Sequence, residues 1–89
     1  MPASSESVVR LPPDVDLHAR PAARLVRTAM AFEAIVHVLA GDRRADAKSL
    51  LAVLGLGARR GTALRLSAEG PDAEVALEAL VTCVAGLVE

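Results

Sequence analysis

At 89 residues the chain has room for one small domain with a thin core and none for a second. Its make-up, 53% hydrophobic and 24% charged, is that of a globular protein and not a disordered one. A formal net charge of −1 and a single aromatic residue, Phe32, argue against a polyanion partner and against base-stacking platforms for nucleic acids.

The expected organisation is one domain over residues 1–89, with 1–7 as a polar N-terminal extension. That extension lacks the basic and apolar regions of a signal peptide. No apolar run reaches the roughly 18 residues that a membrane-spanning helix needs. The single Cys83 has no partner for an internal disulfide. Together these point to a soluble, cytoplasmic protein without membrane insertion.

Val8-Val9-Arg10-Leu11 reads as a strand stopped by Pro12 and Pro13. Pro12 to Asp16 is then a loop leading to Leu17-His18-Ala19-Arg20-Pro21-Ala22-Ala23. Proline is tolerated in a helix only in the first turn, so Pro21 marks a beginning. Apolar residues at Ala22, Leu25, Val26, Ala29 and Met30 have the spacing of one helical face, over about 19–31. Arg20, Arg24 and Arg27 fall on the other face. His18 lies just before the first turn, where unpaired N–H groups point outward and the macrodipole is positive. Such an end favours a neutral imidazole and receives anions such as phosphate. Arg20 adds donors that suit phosphoryl oxygens.

Residues 35–39 read as a strand with Val36 and Val38 on one face and His37 on the other. Gly41-Asp42 is a hairpin signal that pairs residues 43–45 back on it. Ser49 begins a short helix, Leu50 to Leu54, which Gly55 and Gly57 end. Residues 62–67 alternate, with Leu64 and Leu66 inward. Pro71 opens a last helix with Asp72 and Glu74 near its positive end. Ala73, Ala76, Leu77, Leu80, Val84, Leu87 and Val88 form its expected buried stripe, and Asp72, Glu74, Glu78 and Thr82 face water. The order βαββαβα implies an antiparallel sheet with helices on one face, an α/β domain of the α+β type.

Other patterns carry less. Gly55 to Gly61 is glycine-rich and basic, but it follows a helix and lacks a Walker lysine; a helix stop and a loop explain it. His37 has no second ligand at metal spacing, so no metal site is expected. Cys83, near the last helix's apolar stripe, reads as inert packing.

Leu17 to Ala22 resembles the active-site signature of the histidine-containing phosphocarrier (HPr) family of the phosphotransferase system. Ala47-Lys48-Ser49-Leu50-Leu51 through Gly57 is similar to the family's second signature, around its regulatory serine. Gly61-Thr62 and Ser67-Ala68-Glu69-Gly70 also match, and the similarity runs from about Val8 to the C-terminus. The resemblance implies an open-faced sandwich, four antiparallel strands covered on one side by three helices.

It also implies a carrier that is not itself an enzyme. The carrier takes a phosphoryl group from enzyme I on His18 Nδ1, as a pros-phosphohistidine, and passes it to sugar-specific enzyme II A components. Arg20 would serve the transfer. Arg24, Arg27, Leu50, Leu51 and Leu54 would dock partners, and Ser49 would be the regulatory site of an HPr kinase/phosphorylase. No cofactor is implied, and a monomer is expected. The alternatives are a regulatory or interaction domain that is never phosphorylated, and a specialised carrier of the nitrogen type or linked to dihydroxyacetone kinase. The chain departs from the family pattern at Asp16, usually glycine, and at Val15, often Asn or Ser. A carboxylate at Asp16 is expected either to hydrogen-bond the imidazole or to oppose the incoming phosphoryl group.

Overall fold

The computed structural model describes residues 4–88. Its elements are β1 (Ser4–Arg10), α1 (Ala19–Met30), β2 (Ile35–Ala40), β3 (Arg43–Asp46), α2 (Leu50–Gly55), β4 (Ala63–Glu69) and α3 (Ala73–Ala85). The four strands form one sheet in the order β1-β4-β2-β3, every neighbouring pair antiparallel. The fold is the open-faced sandwich that the element order and the resemblance imply.

Period-two alternation decides which face of the sheet is covered. Ser7, Leu66, Val38 and Ala45 stand opposite one another across all four strands on the inner face. Val9 with Leu64, and Val36 with Ala68, extend that face in neighbouring rows. The helices lie over it: α3 packs on β1, β4 and α1, and α2 packs on α1 and β3. Leu25 of α1 and Leu80 of α3 are fully buried between the layers. The other face is open, and Val8, Ile35 and Arg65 are exposed there.

The elements differ from the sequence reading in particular places. Strand β1 starts at Ser4, so residues 4–7 pair with β4 and are no loose extension. Residues 1–3 of that expected extension lie outside the described residues. Ser4 to Ser7 lie opposite Glu69 to Leu66 of β4, which supplies partners for their backbone groups. Leu11 leaves the strand but is buried. Met30 is exposed, because the helix ends there and its face no longer meets the layer below. Val88 is exposed because α3 stops at Ala85. Gly55 belongs to α2, and the chain turns away at Gly57, whose φ of +62° suits glycine. Pro71 lies just outside α3, whose N-cap is Asp72.

Asp72 is not simply a solvated charge either. Its carboxylate accepts from the Glu33 N–H (2.9 Å) and the Ala34 N–H (2.8 Å), tying the start of α3 to the turn between α1 and β2. Gly70 completes this corner. Its φ is +139°, and a Cβ built there would sit 3.0 Å from the Ala34 Cα. We expect Gly70→Ala to cost about 1–3 kcal/mol, since both strain and a backbone clash must be absorbed. Urea denaturation checks this, and an unchanged midpoint would rule out the tight corner.

The Glu33 N–H, and after it the Ala34 N–H, hold the Asp72 carboxyl below its ordinary range. Its contribution to stability is therefore complete above the unfolded value of about 4 and is lost as the pH falls from there through the lowered folded value. Asp72→Asn, left with one acceptor oxygen, should be less stable than wild type at neutral pH. Denaturation along a pH series should show that gap closing in acid; a gap independent of pH contradicts the assignment.

Candidate functional site

The site is built on the first turn of α1. His18 is the N-cap, with extended backbone (φ −102°, ψ −162°), and its carbonyl accepts the first helical bond from Ala22 N–H at 2.8 Å. The imidazole is on an exposed residue. Ala19, Arg20 and Pro21 form the first turn, and Pro21 is buried there with no N–H to satisfy. The N–H groups of Ala19 and Arg20 lie at the positive end of the helix dipole. No acidic residue stands in that turn. Burial of Pro21, Ala22, Leu25 and Val26 fixes the rotation of α1 and leaves Arg20, Arg24 and Arg27 exposed. These three arginines, Ala23 and the exposed Val88 line one shallow groove. Sequence periodicity placed the arginines there; nothing local placed Val88 beside them.

The loop ahead of His18 is docked on residues 57–62. Leu11 N–H donates to Thr62 O (2.9 Å), Gly61 N–H to Pro12 O (3.1 Å) and Leu17 N–H to Ala58 O (3.0 Å). Val15 and Leu17 of this loop are buried, so Val15 is a core residue. Asp16, between them, turns outward. Its carboxylate accepts from Arg60 N–H at 2.7 Å, and Arg60 Nη2 and Arg59 Nε stand 3.5 and 3.9 Å away. The backbone bond from Arg60, helped by the two guanidinium charges, holds this carboxyl below its ordinary range. The carboxylate is thus engaged with the 59–60 turn, a contact that the sequence reading did not include. A partner 44 residues away along the chain leaves no mark in local pattern.

Ser49 caps α2. Its Oγ accepts from Ala52 N–H at 3.3 Å, which is the ordinary role of serine at a helix start. The cap is supported from behind: Asp46 O accepts from Ser49 N–H, and an Asp46 carboxylate oxygen accepts from Lys48 N–H. Lys48 Nζ donates to Phe32 O at 2.7 Å and so joins this turn to the end of α1. Leu51 is 83% exposed and Leu50 41%, while Leu54 is half-buried, so the helix shows an apolar surface to solvent. These residues stand on a different element from His18, and the packing of α2 on α1 joins the two.

His37, the other histidine, lies half-buried in mid-strand on the open face, opposite Ser67 and Asp46. Among the described residues no cluster of His, Cys, Asp or Glu could hold a metal ion, and no helix is long and apolar enough to cross a membrane. Cys83 is buried, and the Thr28 hydroxyl lies 3.4 Å from its sulfur.

Comparison with known proteins gives this geometry its context. The family model described as "PTS HPr component phosphorylation site" matches residues 5–86. The phosphocarrier protein HPr of Haloferax volcanii is 47% identical over 77 residues, covering 84% of this chain and 86% of that protein. A multiphosphoryl transfer protein of Xanthomonas campestris is 52% identical over 64 residues, but these are 72% of this chain and only 8% of that much longer protein. The crystal structure of an HPr from Bacillus anthracis superposes with a TM-score of 0.87 at 34% identity, covering 92% of this chain and 98% of that one. The chain belongs to the HPr family of the phosphotransferase system, the carriers that take a phosphoryl group from enzyme I and pass it to enzyme II.

Proposed function

We propose that His18 Nδ1 is the atom that carries the phosphoryl group. The observation behind this reading is the placement of His18: an exposed N-cap with Arg20 two residues on, in a first turn without a carboxylate. The Nδ1 lone pair attacks phosphorus, the N–P bond forms, and the bond to the donor in enzyme I breaks. The group then moves to a histidine of an enzyme II A component, and the carrier returns unchanged. Arg20 orients the phosphoryl oxygens and gains strength as charge moves there in the transfer.

Docking is transient. Arg24 and Arg27 along α1, with Leu50, Leu51 and Leu54 on α2, meet a partner surface that is apolar at its centre and acidic at its rim. An HPr kinase/phosphorylase acting on Ser49 would add about two negative charges beside those leucines, at a helix start that tolerates them. Within this reading the carrier works as a monomer in the cytoplasm and uses no metal or organic cofactor.

Enzyme I and labelled phosphoenolpyruvate test the acceptor. We expect label in wild type and His37→Ala, none in His18→Ala, and loss of the label in mild acid but not in alkali. Label that survives in His18→Ala rejects the assignment. Arg20→Ala should slow transfer by about a hundredfold, the scale of one lost charge-stabilising donor. Its stability should change by less than about 0.5 kcal/mol, as for other exposed charges.

Ser49→Asp should keep α2 folded by circular dichroism, because aspartate is as good an N-cap as serine. It should nevertheless lower the rate of phosphorylation by enzyme I. Equal rates for the two proteins would remove α2 from the docking surface.

A further inference from the structure

We propose that Asp16 and Arg60 are a positioning pair for the transfer, holding the loop ahead of His18 through a carboxylate-to-backbone hydrogen bond. The inference rests on His18 being the acceptor. It begins with the loop itself. Residues 11–17 run from the end of β1 to the N-cap of α1, and any movement in them moves the imidazole. Three backbone bonds dock this loop on residues 57–62, and the last of them is made by Leu17, next to His18. Val15 and Leu17 anchor it from below. Asp16 stands between these two buried neighbours with its own side chain partly exposed.

Beside that side chain lies Arg60. Asp16 Oδ1 accepts the Arg60 N–H at 2.7 Å, a short charge-assisted bond. On its other side the Asp16 carbonyl accepts the His18 N–H at 2.9 Å. One residue therefore joins the 59–60 turn to the backbone of the acceptor. The turn is itself held: Gly61 N–H donates to Pro12 O, and Arg10 Nη1 donates to Gly61 O at 3.0 Å. The pair thus links the acceptor's backbone to a part of the fold fastened at several other points.

The guanidinium groups have a second effect. An unpaired carboxylate two residues from the acceptor would repel an incoming phosphoryl group. Here the Arg60 and Arg59 guanidinium groups stand 3.5 and 3.9 Å from it and offset its charge. The side chain of Arg59 is 80% exposed, so this compensation leaves a cation on the rim, available to an acidic partner. Asp16 is in this way compatible with the transfer and useful to it, although it stands where the family pattern has glycine.

The two contributions separate by substitution. Asp16→Asn keeps an acceptor oxygen for the Arg60 N–H and loses the charge. Asp16→Ala loses both. Arg60→Ala keeps the N–H and loses the guanidinium. Phosphoryl transfer from enzyme I is measured at a temperature where each protein is shown to be folded, and kcat is separated from the KM for the carrier. Asp16→Ala should lower kcat by about tenfold to a hundredfold, the cost of a slightly misplaced reacting group, with KM little changed. Asp16→Asn should restore most of kcat. Arg60→Ala should raise KM more than it lowers kcat. In amide NMR spectra the Arg60 and His18 N–H signals should shift together in Asp16→Ala and stay near their wild-type positions in Asp16→Asn.

A purely structural bond would lower the melting temperature and leave kcat alone, and that result overturns the proposal. So does Asp16→Asn as slow as Asp16→Ala. Wild type that takes no label on His18 rejects the acceptor assignment and the pair with it. Wild type labelled on His18, beside Asp16→Ala of unchanged kcat, rejects the pair alone.

Discussion

The two-sided pairing of β4 is the constraint on which the rest depends. This strand bonds to β1 along one edge and to β2 along the other. Leu64, Leu66 and Ala68 are fully buried on its inner face. A slip of one residue would turn all three to solvent, so burial locks the register. That register fixes where residues 57–62 leave the sheet, and the loop ahead of His18 is docked on those residues. The candidate site is held by a strand to which it contributes no residue. Helix α1 adds the other half, because its buried stripe sets the direction in which the first turn points.

The distribution of charge follows from a division of labour. Two carboxylates, Asp16 and Asp72, accept backbone N–H groups from distant parts of the chain and act as staples between loops. With Asp16 offset by arginines, the surface around α1 is basic although the whole chain carries a net charge of −1. A near-neutral protein can in this way present a cationic face. Exposed arginines are worth little to the fold, so their cost in stability is small. Under the proposed docking they would serve steering and register with an acidic partner surface.

The two sequence signatures stand on separate helices that touch. Ser49 caps α2, and the arginines lie along α1. A charge added at the cap changes the surface beside the leucines without breaking a core contact, since the helix dipole accommodates it. Lys48, bonded to Phe32 O, ties the turn before α2 to the turn after α1.

Periodicity alone determined much of this protein. The alternation of Leu64 and Leu66, the 3.6-residue stripe of α1, Pro21 in a first turn and Ser49 as a cap are local physics, and the structure contains all of them. His18 and Arg20 were legible for the same reason: a helix start and its neighbours are adjacent in the chain. The resemblance to a family supplied the open-faced sandwich, which pattern alone could not supply. Tertiary structure decided what depends on partners far along the chain. Ser4 to Ser7 became a strand because β4 offered backbone groups to pair with. Met30 and Val88 were left exposed where their helices ended. Asp72 met the turn after α1, and Asp16 met Arg60. A short polar side chain has no preferred partner until the fold brings one within hydrogen-bonding distance, and so the role of each of these carboxylates was settled only in three dimensions.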